Sequence, residues 1–170
     1  AGCTVYAFDP TTNYKKDLAP NVEFRCIGLG AESADSKDTY LRNFSHQLYN
    51  PVQGPILSLA DIQTKVLGHS PDQKVSILKI DCEGCEWPAL AYLADHHPNF
   101  LDNVQQLSLE VHFTKELQVT TVEHLIMMAK AWRFIKNAGF KMWFTFPQGG
   151  RGSREVLPAL KKLGFPPTGV

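Results

Sequence analysis

Residues 77–87, ILKIDCEGCEW, place several chemically active side chains directly after an apolar run. Asp81 lies at the end of a predicted strand, Glu83 lies in the turn, and Glu86 lies near the start of the next helix. An acid in the first turn of a helix stabilises the positive end of the helix dipole, which gives these residues a purely structural explanation. The alternative is that Asp81 and Glu83 contact a ligand, because a turn at the end of a buried strand faces a crevice. Both interpretations stay open.

The same segment contains Cys82 and Cys85 at the C-x-x-C spacing of redox-active dithiols. Such dithiols require a stabilised thiolate, and the negative charges of Glu83 and Glu86 disfavour one. The sequence therefore favours two small packing residues over a redox centre. The four cysteines of the chain are also too irregularly spaced for a four-thiolate zinc site or a secreted disulfide framework.

A second pair of reactive side chains, Glu110 and His112, ends the predicted strand VQQLSLEVHF at 104–113. Residues two apart in a strand share a face, so both side chains point the same way. With Asp81 from the preceding strand they would form a cluster of carboxylates and imidazole, which could supply a general base or bind a divalent cation. A single histidine at a strand end is commonly structural, but three converging groups favour a function. We expect no metal ion here and keep a divalent metal as the alternative.

Asp9 follows the β-rich segment CTVYAF and precedes Pro10. A carboxylate accepts two hydrogen bonds at once, which suits the vicinal hydroxyls of a ribose. The next predicted strand ends at Gly28-Leu29-Gly30, which lacks the third glycine of a dinucleotide-binding fingerprint. We expect these glycines to turn the chain or to let the backbone approach a flat ligand.

Composition excludes several classes of partner. The 170 residues contain 17 Lys and Arg against 17 Asp and Glu, so the chain has no net field to attract nucleic acid or anionic lipid. No apolar run approaches the roughly 20 residues that a membrane-spanning helix requires. A chain of this length fits one domain with a full core.

The predicted elements alternate between strands and helices, which is typical of an α/β protein with a mainly parallel sheet covered on both faces. Ligands bind beyond the carboxyl ends of the strands in such sheets. Asp9, Asp81 and Glu110 all lie at such ends. Strands are predicted at 3–8, 22–28, 75–81, 104–113 and 140–146, with helices at about 58–67, 88–94 and 120–138.

The segments VYAFDP, FRCIGLG, SLADI, ILKIDCEGCEW and LSLEVHF, in this order, resemble the FkbM-type methyltransferases and the animal methyltransferase-like proteins. The K-I-D-x-E-G-x-E-W string is the specific part of the resemblance, which spans about residues 3–146. It implies a class I methyltransferase with a Rossmann-like sheet in three αβα layers, using S-adenosylmethionine. The implied reaction is O-methylation of a small-molecule or sugar-like acceptor, with a catalytically inactive scaffold or binding domain as the alternative.

The resemblance also implies where the cofactor would lie. Asp9 would hold its ribose hydroxyls, and Gly28, Leu29 and Gly30 would border the adenine. Asp81 and Glu83 would lie by the methionine end and the reacting methyl group.

On the acceptor side, the resemblance places Glu110 and His112 at the pocket, with His112 as general base and Glu110 orienting it. A first strand with a glycine-rich turn would precede the Asp9 strand in the family, so we expect a partial methyltransferase domain at 1–146. Residues 147–170 form a divergent Gly/Pro-rich segment without the strand pair that closes such sheets. The sequence leaves both a cytoplasmic and a secretory-pathway location open and predicts no oligomeric state.

Overall fold

The computed structural model describes residues 2–12, 18–32, 54–112 and 122–144. The chain divides into two compact units, Ala1–Pro71 and Asp72–Val170. Each unit contains parallel strand pairs and at least one helix. The first unit holds the predicted site residues Asp9 and 28–30, and the second unit holds those at 81, 83, 110 and 112.

The first unit contains two parallel strand pairs. Strand β1 (Val5–Phe8) pairs with β2 (Val22–Arg25), and the two-residue strand β3 (Gly28–Leu29) pairs with β4 (Ile56–Leu57). The aromatic and β-branched residues of VYAF suit a strand, and Pro10 ends the pairing because it has no N–H to donate. The predicted strand 22–28 is therefore divided between β2 and β3.

Helix α1 (Leu59–Asp61) continues as a π-helical segment, Ile62–Val66. Its start follows the capping signal in the sequence, since the Ser58 hydroxyl accepts the Asp61 N–H at 3.2 Å. The chain leaves the helix at Gly68, whose φ of +64° is a left-handed conformation that glycine adopts easily. The predicted helix at 58–67 is confirmed.

The second unit contains β5 (Val75–Ile80) and β6 (Val104–Leu109), which pair in parallel with Ile80 opposite Leu109. Helix α2 (Glu86–His96) follows β5, and a 3₁₀ turn (Phe100–Asn103) leads into β6. Helix α3 (Val122–Asn137) packs against α2.

The core of the second unit comes mainly from α2 and α3. Buried side chains recur along α2 at Trp87, Leu90 and Leu93, which is the three-residue spacing of one helix face. The buried apolar residues of α3 are Met128, Ala131, Phe134 and Ile135. The helix predicted at about 120–138 is confirmed over Val122–Asn137.

Three sequence predictions differ from the structure. The described strands form three two-stranded sheets, so the α/β class with parallel pairing is confirmed but the single three-layer sheet is not. Strand β5 was predicted to be fully buried, yet Ile77 is 61% exposed because β5 pairs with β6 alone among the described strands. The described part of the predicted strand 140–146 makes no sheet pairing, and Met142, Trp143 and Phe144 are exposed.

Gly54 provides a test of the packing in the first unit. It is buried, its N–H donates to the Pro10 carbonyl at 3.3 Å, and a β-carbon would overlap the carbonyl group of Cys26. We expect Gly54→Ala to lower the free energy of unfolding by about 1 to 3 kcal/mol, the usual cost of overpacking. Urea denaturation measures the change. Gly2→Ala is the matched control because a β-carbon there meets no atom within 4 Å, and equal effects of both substitutions would contradict the packing.

Candidate active site

His112 lies just beyond the end of β6, at the edge where β5 also ends. The pairing continues past the strands, because the Glu110 N–H donates to the Ile80 carbonyl at 3.0 Å. The Trp87 indole N–H donates to the His112 carbonyl at 3.2 Å and so ties the residue to the first turn of α2. The His112 side chain is only 13% exposed. Its ring is therefore held between a strand end and a helix start.

The nearest group to the His112 ring is Glu86, the first residue of α2. Glu86 is fully buried, and its Oε1 lies 2.8 Å from His112 Nδ1 and 3.0 Å from the Cys82 backbone nitrogen. An ionised carboxylate can only accept hydrogen bonds, so Nδ1–H donates and the proton of the neutral ring is on Nδ1. Glu86 Oε2 has no hydrogen-bond partner among the described residues. One carboxylate oxygen thus fixes both the ring and the turn before the helix.

Sequence reasoning placed Glu86 at the helix start but did not assign it to the site. The available signal was its position four residues after Cys82, from which a side chain in the first turn can reach back to a free N–H in the manner of a capping box. Its complete burial depends on packing around α2 and could not be derived from that spacing.

The other ring nitrogen, Nε2, faces two more carboxylates. Glu83 Oε2 lies 3.4 Å away and Glu110 Oε1 lies 3.8 Å away. Glu83 reaches this position from a left-handed backbone conformation with φ of +56°, which is unfavourable for a residue with a β-carbon. Gly84 follows with φ of +112°. The tight turn therefore aims Glu83 at the histidine at a conformational cost.

Cys82 and Cys85 are joined by a disulfide across this turn. The prediction that they are two separate packing residues is wrong, although Cys85 is buried as expected. The physical reason is the sharp reversal between β5 and α2, which brings the two Cα atoms to 5.4 Å, inside the range a disulfide spans.

Asp81 completes the acidic edge, the group of carboxylates formed by Asp81, Glu83 and Glu110. It pairs with Lys79 at 3.0 Å, and the lysine side chain is 65% exposed. Ligand atoms of Asp81, Glu110 and His112 all lie within 4.8 Å of one another, a spacing that a divalent cation could bridge. The predicted convergence of Asp81, Glu110 and His112 is therefore present in the second unit, and Glu83 also lies beside the histidine.

The surrounding carboxylates raise the pKa of His112 above its ordinary value of 6.5. The hydrogen bond to Glu86 is the largest cause, and the charges of Glu86, Glu83 and Glu110 act in the same direction. Burial opposes them, because desolvation disfavours the charged ring. The site therefore stabilises an imidazolium and makes the neutral ring a stronger proton acceptor.

Asp9 and the glycine segment belong to the first unit. Asp9 follows β1 and is half-buried, and its Oδ1 accepts from the N–H and the hydroxyl of Thr11 at 2.8 and 2.6 Å. Both of these hydrogen bonds end on one carboxylate oxygen, Oδ1. The Gly28 and Gly30 N–H groups donate to the Pro55 and Leu57 carbonyls.

The side chain of Ile56 explains why residues 28 and 30 are glycines. A β-carbon at either position would collide with it. The glycines thus permit β3 and β4 to pack closely, which is a structural use that the sequence analysis did not include. Leu29 between them is half-buried.

Ligands of parallel α/β sheets bind beyond the carboxyl ends of the strands, and the second unit gathers a histidine and several carboxylates at such ends. Residues 1–144 match the family model described as a methyltransferase domain. The match covers most of the chain and extends over both units, so the chain belongs to this family of methyltransferase domains. No curated protein and no solved structure matches it. Among the described residues, no helix is long and apolar enough to cross a bilayer.

Removal of the His112 ring should destabilise the fold. His112→Ala leaves the Glu86 carboxylate buried beside a single N–H donor, and losing one partner of a buried pair costs about 3 to 5 kcal/mol of unfolding free energy. Urea denaturation measures this loss. His96→Ala, on the exposed end of α2, should cost about 0.5 kcal/mol.

The double variant Glu86→Leu/His112→Ala tests the reason for that loss. It removes the unpaired charge and should recover part of the stability. A cost below about 1 kcal/mol for His112→Ala alone would contradict the buried pair.

The raised pKa of His112 makes stability depend on pH. Its contribution is fully present below the unfolded pKa of about 6.5 and is lost as pH rises through the higher folded pKa. NMR titration of the ring protons should give a midpoint above 6.5, and Glu86→Gln should lower it because the largest cause is removed. An unchanged midpoint in Glu86→Gln would assign the raised pKa to the other carboxylates.

Proposed function

We propose that this protein is an S-adenosylmethionine-dependent methyltransferase of the FkbM type, which methylates an oxygen of a small-molecule or sugar-like acceptor. The supporting observation is the hydrogen bond between buried Glu86 and His112 Nδ1, which leaves Nε2 facing the acidic edge in a chain of the methyltransferase domain family. A carboxylate behind a histidine is the arrangement that fixes a base for proton transfer.

Each unit, taken by itself, carries groups suited to part of S-adenosylmethionine. In the first unit the Asp9 carboxylate suits ribose hydroxyls. In the second unit Asp81 and Glu83 provide negative charge suited to the ammonium and sulfonium groups of the methionine end. Gly28 and Gly30 have their N–H groups in the sheet, so in this proposal Leu29 borders the adenine through its side chain. When bound, the cofactor supplies an electrophilic methyl group.

The chain's own residues would act by positioning and by proton transfer. Methyl transfer is a displacement in line, so holding the acceptor oxygen at attack distance accounts for up to about 7 to 11 kcal/mol of the barrier. His112 Nε2 accepts the proton of the acceptor hydroxyl, and Glu86 stabilises the resulting imidazolium across the 2.8 Å contact. The sequence assigned the orienting role to Glu110, and we now give it to Glu86, which contacts the opposite nitrogen.

Glu110 and Glu83 lie on the same side of the ring as Nε2. In this proposal their oxygens accept hydrogen bonds from further hydroxyls of the acceptor, because a carboxylate can accept two such bonds. The same charges repel phosphates and other anions. A neutral acceptor with several hydroxyls fits this edge better than an anionic one.

Cofactor binding is the first test. S-adenosylhomocysteine should release or absorb heat on titration into the protein, and Asp9→Asn should weaken binding by about 10- to 100-fold, since a hydrogen bond to a charged group contributes about 1.5 to 3 kcal/mol. Asp102→Asn, on the exposed 3₁₀ turn, is the matched control and should bind as the unaltered protein does. Absence of binding in all three would favour the inactive scaffold.

Proton transfer is the second part of the same test. With methyl-labelled S-adenosylmethionine and a panel of monosaccharides and small phenols, activity should rise with pH through the His112 pKa, because only the neutral ring accepts a proton. His112→Gln should lower the rate by about 10²- to 10⁴-fold, whereas His96→Gln should not. A pH-independent rate with full activity in His112→Gln would exclude the base.

A divalent cation bridging Asp81, Glu110 and His112 is the alternative way to activate the acceptor. Treatment with EDTA separates the two. Loss of transfer that added metal restores would support the cation, and unchanged transfer would support His112 as the base.

A further inference from the structure

The disulfide between Cys82 and Cys85 encloses only Glu83 and Gly84, the two residues of the turn with positive φ. A left-handed Glu83 is disfavoured in a free chain, so the residue keeps this conformation only where its surroundings impose it. The covalent link removes many of the alternative conformations of the turn. We refer to residues 82–85 as the disulfide turn.

The disulfide turn is connected to His112 on both sides of the ring. The Cys82 N–H donates to the Glu86 oxygen that holds Nδ1, and Glu83 Oε2 lies 3.4 Å from Nε2. Cys85 directly precedes the first residue of α2. A change in the turn therefore reaches both carboxylates that determine the position and charge of the ring.

We propose that the Cys82–Cys85 disulfide is a thiol-exchange site that regulates the His112 site, with the disulfide form active and the dithiol form impaired. The predicted effect on activity rests on the proposed function. The predicted change in the conformation of the turn and in the surroundings of His112 on reduction does not depend on it.

The exchange step follows from the exposure of the two sulfur-bearing residues. Cys82 is partly exposed whereas Cys85 is 2% exposed, so an external thiolate attacks the Cys82 sulfur and the Cys85 sulfur leaves as the thiolate. The Cys85 sulfur leaves at the positive end of the α2 dipole but beside the carboxylates of Glu83 and Glu86, which disfavour a thiolate, so it takes up a proton and remains as the thiol. The second thiolate of the same reductant then attacks the reductant sulfur of the mixed disulfide, and the Cys82 sulfur leaves as the thiolate and takes up a proton. In total a dithiol transfers two electrons and two protons and becomes a cyclic disulfide.

Loss of the link would let Glu83 return to a right-handed or extended conformation. Its carboxylate would then leave Nε2, and the Cys82 N–H would no longer be held toward Glu86. The His112 pKa should fall toward its ordinary value, because the charge of Glu83, one of the causes that raise it, moves away from the ring. The base would be less well positioned, although the buried Glu86 remains in place.

The experiment compares the disulfide and dithiol forms of one protein. A Cys3→Ser/Cys26→Ser background removes the two free cysteines, so dithiothreitol acts on the disulfide turn alone. Hydrogen exchange of the amides at 82–86 and the NMR titration of His112 are followed in both forms. Methyl transfer is measured from labelled S-adenosylmethionine to the monosaccharide and phenol panel.

Reduction should accelerate amide exchange in the turn, lower the His112 midpoint and reduce kcat/KM by about tenfold, which equals about 1.4 kcal/mol. Reoxidation should restore all three. Cys82→Ser/Cys85→Ser should match the dithiol form and ignore dithiothreitol. If that variant does not fold, the reduced protein itself supplies the comparison.

The outcomes separate the two proposals. Equal exchange rates and equal His112 midpoints in both forms would overturn the switch, whatever the activity. If the amide exchange rates and the His112 midpoint change on reduction but neither the disulfide form nor the dithiol form transfers methyl groups, the structural switch is supported and the proposed function is not. A lower melting temperature with unchanged exchange, midpoint and kcat/KM would show a disulfide that only stabilises the fold, which also overturns the proposal.

Discussion

The second unit depends on one interaction, the hydrogen bond between Glu86 and His112. A fully buried carboxylate is unfavourable unless hydrogen bonds and opposite charge compensate it, and here a single oxygen receives both the ring N–H and the Cys82 N–H. These contacts join the end of β6, the turn after β5 and the start of α2. The buried charge therefore has a positional consequence, because the three segments are held together where their chemically active side chains lie.

The same contact determines the electrostatics of the site. With Nδ1 engaged by Glu86, the opposite nitrogen is the one that can exchange a proton, and it faces Glu83 and Glu110. The acidic edge thus has two electrostatic effects: it raises the pKa of His112, and it surrounds Nε2 with negative charge. Among the described residues, Lys79 forms an ion pair with Asp81 of this edge.

The convergence of Asp81, Glu110 and His112 could be predicted because it follows from local rules. Parallel strands place their carboxyl ends on one edge, and the pairing of β5 with β6 required only that both segments be strands. Glu86 could not be assigned in this way, because its burial depends on packing around α2 and its helix-start position already had a sufficient local explanation. The disulfide was missed because the charge argument concerned thiol reactivity, whereas bond formation depends on the 5.4 Å separation that the turn creates. The exposure of Ile77 depends on which strands pair, which an apolar run does not specify.

The helix ends and the His112 site differ in how well each residue suits its backbone conformation and its surroundings. Ser58 caps its helix, and Gly68 and Gly139 take the positive φ values that follow helix ends, so the scaffold places each residue type where it is favoured. The site reverses this pattern: Glu83 is left-handed, Glu86 is buried with one oxygen lacking a hydrogen-bond partner among the described residues, and several like charges lie around one ring. Unfavourable backbone conformations, buried charges and like charges grouped in this way lower the free energy of unfolding, and such groups are typical of functional sites. Among the described residues this group of unfavourable features lies at the turn after β5 and the end of β6, which is a physical reason, separate from the family match, to test these two segments first for function.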